Sequence, residues 1–467
     1  MINSKVDFNH FNSIFNSDEL KNWIIDFFEE RLGVETLFHN EENFRKIKFT
    51  QGSNVYYIHF SNKGFKEVFN GNITVNYITS EELSKIYNIK LSNDNLVFFG
   101  DYKKSEKIIS LKDNNLYINY DFISYFVWTV NRLEEYGVLS DELHNRFELG
   151  NSHLKHDELF KRAIIDEWFS FFRSVLILNN FKISNKRFSF SVSHDVDIVS
   201  KYKAVPLSRL IPNLILDLVQ GNTDYLHFLL NQKKYLDSEH SNTFKWLMEV
   251  SEKFKIKSRF YFITGNTSLR YDYVYRLKSK LLFSLIKQIH EKKHKIGIHY
   301  SYNASKKNKI SKEWNRLKAY CDKLNIKPEG GRMHYLKINF LETLYQLEST
   351  NQIFDNTLTF HESGGFRCGT SLPYYPFDVF NLRKINIKIH PLIVMEGSIL
   401  DYSNIKNLKM AFSYIKNLID QCYINNGNFS LLWHNSDLET DDKKQLYFDI
   451  LNYCSLKNKQ ISKTSND

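Results

Sequence analysis

Cysteine, proline and long apolar runs are all scarce in this chain. Its four cysteines, Cys321, Cys368, Cys422 and Cys454, form no Cys-x-x-Cys pair and no zinc-ribbon spacing. No stretch of about 18 apolar residues suggests a membrane span. The first ten residues, Met1 to His10, contain no apolar core of a signal peptide, so none is expected. The default expectation is therefore a cytoplasmic protein with reduced thiols. Only 6 prolines occur, and Asn and Lys are abundant, which reads partly as genome composition. An arginine-rich or aromatic-interleaved nucleic-acid motif is also missing, so no nucleic-acid partner is expected.

The residues that are present describe a folded protein. Hydrophobic residues make up 42% of the chain and aromatics 15%, too many for a disordered polymer. At 467 residues, two domains are expected. The formal net charge is +10. Basic residues are scattered, densest in Ser305-Lys-Lys-Asn-Lys-Ile-Ser-Lys312. Such charge suits anionic glycans, phosphate-bearing lipids or nucleic acid, but a solvated lysine-rich surface is the favoured reading. No integral membrane segment is expected, while peripheral membrane contact is allowed.

Residues 1–150 read as a mixed α and β domain of unassigned role. Asp18 to Leu32 has helical periodicity, Asn54–Phe60 and Asn95–Phe99 read as strands, and Phe122 to Tyr136 returns to helix. Residues 151–185 form a helical bridge centred on the apolar helix Ile164 to Leu176. From residue 186 to about 455, strand-like runs alternate with helical ones. The strands are Phe188–Ser193, Arg259–Ile263, Lys295–His299, Gln352–Phe354, Ile385–Ile389 and Phe429–Trp433. The helices between them include Phe244–Lys255, Leu281–Lys293 and Ile405–Ile424. This alternation predicts parallel strands with crossover helices. Residues 456–467 read as a flexible tail.

The most informative stretch is Phe188-Ser-Phe-Ser-Val-Ser-His-Asp-Val-Asp197. A strand that ends in Asp-x-Asp presents two acids at the mouth of an α/β sheet or barrel, where such folds keep their chemistry. Asp195 and Asp197 are then a candidate base and a candidate metal ligand. Further polar residues follow other predicted strands: His299, Arg332, Asp355 and His434. Carboxylate and imidazole are good zinc ligands. A second carboxylate can take a proton from water, and a histidine can protonate a leaving amine. His194, next to Asp195 and on the strand's other face, reads as structural.

Taken in order, these segments resemble the motifs of the polysaccharide deacetylases, the carbohydrate esterase family with the NodB-homology domain. Asp195-Val-Asp197 is similar to that family's Asp-Asp or Asp-x-Asp motif, with base first and metal ligand second. His299-Tyr-Ser-Tyr-Asn303 resembles its His-Ser/Thr-x-x-His motif. Arg332-Met-His-Tyr335, Phe354-Asp-Asn-Thr357 and Leu432-Trp-His-Asn435 resemble the third, fourth and fifth motifs. Ser258 to Ile263 is similar to the family's Ala-Thr-Phe-Phe strand. Gly365-Phe-Arg-Cys-Gly-Thr370 looks like a segment of longer bacterial members with an extra N-terminal domain.

The resemblance implies a distorted, incomplete (β/α) barrel over residues 186–455 and a divalent metal, zinc by preference. It implies Asp197 and His299 as ligands, Asp195 as base, His434 as general acid, Arg332 steadying Asp195, and Asp355 tuning His434. The implied reaction removes an N-acetyl or other acyl group from a sugar of a surface polysaccharide or its intracellular precursor. One position departs from the pattern: Asn303 stands where the family has its second metal histidine. An amide oxygen is a poorer zinc ligand than imidazole. Three outcomes follow: Asn303 ligates through its oxygen, His334 or His361 completes the set, or the site is degenerate and the protein binds glycan without catalysis. Hydrolysis of a small linear or cyclic amide is a weaker alternative.

Overall fold

The structure is a computed structural model. It describes residues 8–464, except positions 64, 88, 90, 92, 103–105, 137, 139, 140, 142, 184, 185, 240, 274, 404 and 406. The chain divides into two compact units. The first holds residues 1–188 together with 365–391 and 420–427; the second holds 189–364, 392–419 and 428–467.

The first unit is built on a five-stranded sheet. Its strands are β1 (Glu35–Asn40), β2 (Phe44–Gln51), β3 (Asn54–Ser61), β6 (Ile109–Lys112) and β7 (Asn115–Ile118), in the order β1-β2-β3-β7-β6. A separate antiparallel pair joins β4 (Val75–Thr79) to β5 (Asn95–Phe99). The helix Asp18–Leu32 starts where the Ser17 hydroxyl accepts from the Leu20 amide and stops at Gly33, whose φ is 69°. Its Phe28 meets Phe169 and Phe172 of the Ile164–Leu178 helix, and Phe122 packs on Trp168, so aromatic rings fill this core.

Residues 365–391, assigned by sequence to the second domain, belong to the first unit. The reason lies in their polar anchors. The Arg132 guanidinium donates to the Arg367 carbonyl. Arg367 pairs with Glu135 at 2.7 Å. Asp166 accepts from the Ser371 amide and hydroxyl, both at 2.7 Å. The Gly365–Thr370 segment is thus a strap across the first unit. It continues through the short antiparallel pair β13 (Phe377–Asp378) and β14 (Arg383–Lys384) to β15 (Lys388–Ile389), where the sequence suggested one longer strand, Ile385–Ile389.

The second unit is a curled parallel sheet with helices, a half-barrel consistent with the (β/α) barrel expected. Its strands are β8 (Ser189–Val196), β9 (Arg259–Ile263), β10 (Lys295–Tyr300), β11 (Gly330–Met333), β12 (Phe354–Asp355), β16 (Val394–Met395) and β17 (Asn428–Leu432). They lie in the order β12-β11-β10-β9-β8-β17-β16. The helices Phe244–Lys253, Lys280–Glu291 and Ile310–Cys321 connect successive strands. Glycine sets the close approach of β10 to β11: a Cβ on Gly331 would stand 1.8 Å from the Ile298 carbonyl oxygen. The last helix, Asp441–Thr464, includes most of the segment expected to be a tail.

Candidate active site

Parallel pairing brings the sequence-predicted residues together. β8 carries Asp195 at its end, with Asp197 two residues on, so both acids share a face. In the register of β10 and β11, His299 lies beside Arg332. β12 places Asp355 beside Gly331. β17 leads into His434.

Asp195 is buried and charged. Its Oδ1 accepts from the Arg332 guanidinium at 2.8 Å. Burial alone would raise its pKa, but Arg332 and the neighbouring imidazoles outweigh that and hold it below the usual carboxylate range. Arg332 is itself fully buried. Its remaining donors go to the Asn356 carbonyl at 2.8 Å, the Ser193 hydroxyl at 2.9 Å and the Asn356 side chain at 2.5 Å. Tyr261 lies under the guanidinium, 5.2 Å from ring centroid to carbon. A planar fork with four of its five N–H groups bonded cannot swing away, so Asp195 is fixed.

Three side chains meet around one point. Asp197 Oδ1 lies 3.4 Å from His299 Nε2 and 3.7 Å from His334 Nε2. Their donor atoms are close enough together to hold one ion. The His299 Nδ1 sits 3.2 Å from the Arg332 carbonyl, which can only accept, so Nδ1 carries the proton and Nε2 presents a lone pair. His334 Nδ1 lies 3.1 Å from the Asp272 carboxylate. Asp272 also accepts from the amides of Thr267, Ser268 and Tyr302 at 2.7–2.8 Å. It therefore fixes the His334 ring, as an outer carboxylate does for a metal-binding histidine.

The unsatisfied atoms of this donor set fit a bound cation. Asp197 Oδ1 and His299 Nε2 are both buried without a hydrogen-bond partner. Such atoms are costly to leave bare. A lone pair facing a carboxylate is satisfied by a positive charge between them. Consistently, burial would depress the His334 imidazole, yet Asp197 and Asp272 raise its pKa to about 9. One carboxylate and two imidazoles is a set that suits zinc and similar divalent ions.

Asn303 is engaged by Lys337 and Thr267: its Oδ1 accepts from Lys337 Nζ at 2.9 Å, and its amide donates to the Thr267 hydroxyl. The imidazole that joins Asp197 and His299 is His334, two residues past Arg332. His361 pairs instead with Glu362.

His434 Nε2 faces Asp197 Oδ2 at 3.7 Å. Its Nδ1 is held by Glu396, which also accepts from the His434 amide at 2.9 Å. Burial opposes charge on the ring, but Glu396 prevails and lifts its pKa well above the usual histidine value. Asp355, expected to tune His434, turns to Thr357 and accepts from its amide at 2.9 Å and hydroxyl at 2.7 Å. Burial pushes its carboxyl up to about 6. Glu396 holds the tuning position because the two-residue β16 delivers it there beside β17. Behind it, Asp437 is raised to about 7 by burial and by repulsion from Glu396. His194 is fully buried with its Nδ1 2.9 Å from the Trp433 carbonyl, the structural role expected.

Glu396, Asp272 and Asp437 were not legible as site residues. Glu396 had a signal, an acid closing the apolar run Leu392-Ile-Val-Met395. Asp272 and Asp437 sit in loops whose sequence gives none.

Residues 13–180 match a family model described only as a family of unknown function, DUF7033. No curated protein matches the chain. Three solved structures share low similarity. A putative polysaccharide deacetylase from Mycobacterium smegmatis is 14% identical, over 59% of this chain and 86% of its own, with a TM-score of 0.38. Puue allantoinase is 10% identical over 57% of this chain and 84% of its own, with a TM-score of 0.35. A probable polysaccharide deacetylase from Pseudomonas aeruginosa PAO1 is 10% identical over 57% and 85%, also at 0.35.

Proposed function

We propose that this chain is a metal-dependent hydrolase that removes an N-acetyl or other acyl group from a sugar, one belonging to a surface polysaccharide or its precursor. The observation that carries this is the pair of buried, unpartnered atoms, Asp197 Oδ1 and His299 Nε2, beside a carboxylate held charged and an imidazole held protonated. Asp197, His299 and His334 would hold a divalent ion, zinc by preference. Such an ion, when bound, activates water and polarises an acyl carbonyl.

The chain's own groups do the proton work. Arg332 occupies Asp195 Oδ1 and leaves Oδ2 to accept the proton of the attacking water. Glu396 keeps the His434 imidazole charged, so Nε2 has a proton to give to the departing nitrogen. The base Asp195 Oδ2 lies 3.6 Å from His299 Nε2 and the acid His434 Nε2 lies 3.7 Å from Asp197 Oδ2, so both border the Asp197–His299 pair. A non-catalytic glycan binder would have no use for that pair, and its main support, a missing third ligand at Asn303, is answered by His334.

The test is acetate release from N-acetylated mono- and oligosaccharides, with small linear and cyclic amides as a parallel panel. Asp195→Asn is expected to lower turnover by about a hundredfold or more while metal content stays unchanged. Unchanged turnover in that variant, or turnover of the amides alone, would contradict the reading.

A further inference from the structure

The helix Leu207–Val219 is packed inside out. Its polar residues Arg209, Asn213 and Asp217 recur every four positions and face the protein. Arg209 donates to the carbonyls of Leu269 and Asp272. Asn213 donates to the Lys201 carbonyl and the Tyr273 hydroxyl, both at 2.9 Å. Asp217 is fully buried, accepting from Lys201 Nζ at 2.6 Å and from the Tyr202 hydroxyl. The apolar residues Leu207, Ile211, Ile215 and Leu218 share the opposite side, and each is more than half exposed. Val219 extends this surface, as do Leu229 and Leu230 of the next helix, Asp224–Leu230, and Leu269 of the neighbouring loop. An ordinary surface helix buries the apolar stripe and wets the polar one. An apolar face this continuous marks an interaction surface.

Charge indicates what covers it. Residues 199–216 contain no acid. Residues 265–280 contain one, Asp272, which is buried. The two stretches are joined by the Arg276 amide on the Ala204 carbonyl. They carry Lys203, Arg209, Arg270, Arg276 and Lys278, and Arg270, Arg276 and Lys278 are exposed. Of the two acids within Leu207–Leu230, Asp217 is buried and Asp224 is half-buried and accepts from Asn222, so an apolar helical face flanked by cations remains, which fits an anionic lipid surface. Thirteen residues span only about 20 Å. Among the described residues no helix is long and apolar enough to cross a membrane, so this one would lie in the interface plane.

We propose that the segment Leu207–Leu230 docks the protein on an anionic phospholipid bilayer. The docked helix is tied through Arg209 to Asp272, the residue that orients His334. Resting on the hydrolase reading above, this makes a lipid-anchored acylated sugar the substrate class.

The experiment is co-sedimentation of the full chain with vesicles of phosphatidylcholine containing about 30% phosphatidylglycerol, and with pure phosphatidylcholine, at low and high salt. The wild type is expected to pellet with the anionic vesicles and to be released as salt rises. Ile211→Asp/Ile215→Asp should reduce partitioning about tenfold or more, with circular dichroism unchanged. Arg270→Glu/Lys278→Glu should weaken anionic binding without touching the apolar face. His334→Ala should pellet like the wild type, so a failed hydrolase reading does not mimic failed docking. The proposal is overturned if the wild type stays in solution with anionic vesicles at low salt, or if the Ile211/Ile215 variant pellets equally. It is also overturned if sedimentation without vesicles reveals a dimer that the same substitution dissolves, because the face then belongs to a second copy.

Discussion

Replacing Arg332 by Met isolates the electrostatic centre of the site. The side chain is fully buried and its bond to Asp195 is 2.8 Å long. Methionine retains the aliphatic volume and removes the charge. Asp195, 2% exposed, is then left as a buried carboxylate without its counter-ion. Breaking a buried pair from one side costs about 3–5 kcal/mol, mostly the penalty of the stranded charge. With a urea dependence of about 2–3 kcal/mol per molar, the midpoint for the second unit should fall by roughly 1–2 M. Equilibrium denaturation followed by circular dichroism reads this, with separate transitions for the two units where they unfold apart. The decisive comparison is the double variant Arg332→Met/Asp195→Asn. Removing the stranded charge should recover about 2 kcal/mol, so the two changes should be strongly non-additive. A loss under about 1 kcal/mol in the single variant, or simple additivity in the double, would refute the account of Asp195 as a charge held by Arg332.

Four other substitutions probe three separate links. Glu396→Gln should move the alkaline limb of the pH–activity profile to lower pH, because His434 loses the partner that keeps it charged; Asp355→Asn should leave that limb in place, and the reverse pattern would restore Asp355 to the tuning role. Burial holds the His194 pKa down at about 4. The ring is neutral in the folded chain, the unfolded chain takes up a proton below about pH 6.5, and stability therefore falls as pH drops from 6.5 to 4, by about 3 kcal/mol in all. His194→Gln should flatten that interval in urea melts taken across the range; an unchanged slope would remove His194 from the acid response. Gly331→Ala forces a methyl against the Ile298 carbonyl and should cost about 3 kcal/mol or more, read as a lowered melting temperature, whereas a neutral result would mean that β10 and β11 can part.

Much of this arrangement was written locally in the sequence. Arg259–Ile263 and Asn95–Phe99 read as strands with their observed limits, since aromatic and β-branched residues cluster there between clear turns. Asp195, Asp197, His299 and His434 were legible because each closes or follows such a strand, and Arg332 because Arg332-Met-His-Tyr335 resembles a family motif. What failed had other causes. Gly330–Met333 and Val394–Met395 are too short to show a period, so β11 and β16 were missed, and Glu396 with them. The assignment of Gly365–Pro391 to one unit depends on Asp166, Arg132 and Glu135, partners about 200 residues away in sequence. Asn303 and His334 differ in their partners, Lys337 on the Asn303 oxygen and Asp272 on the His334 ring, and spacing alone carries no such information.

The central claim is that Asp197, His299 and His334 form a cation site that excludes Asn303. Elemental analysis after zinc loading and dialysis tests it directly, on the wild type beside Asp197→Ala, His334→Ala and Asn303→Ala. The account predicts about one divalent ion per chain in the wild type and in Asn303→Ala, and loss of that ion in the other two. An ion retained by His334→Ala but lost from Asn303→Ala, or no ion bound by the wild type, would contradict it.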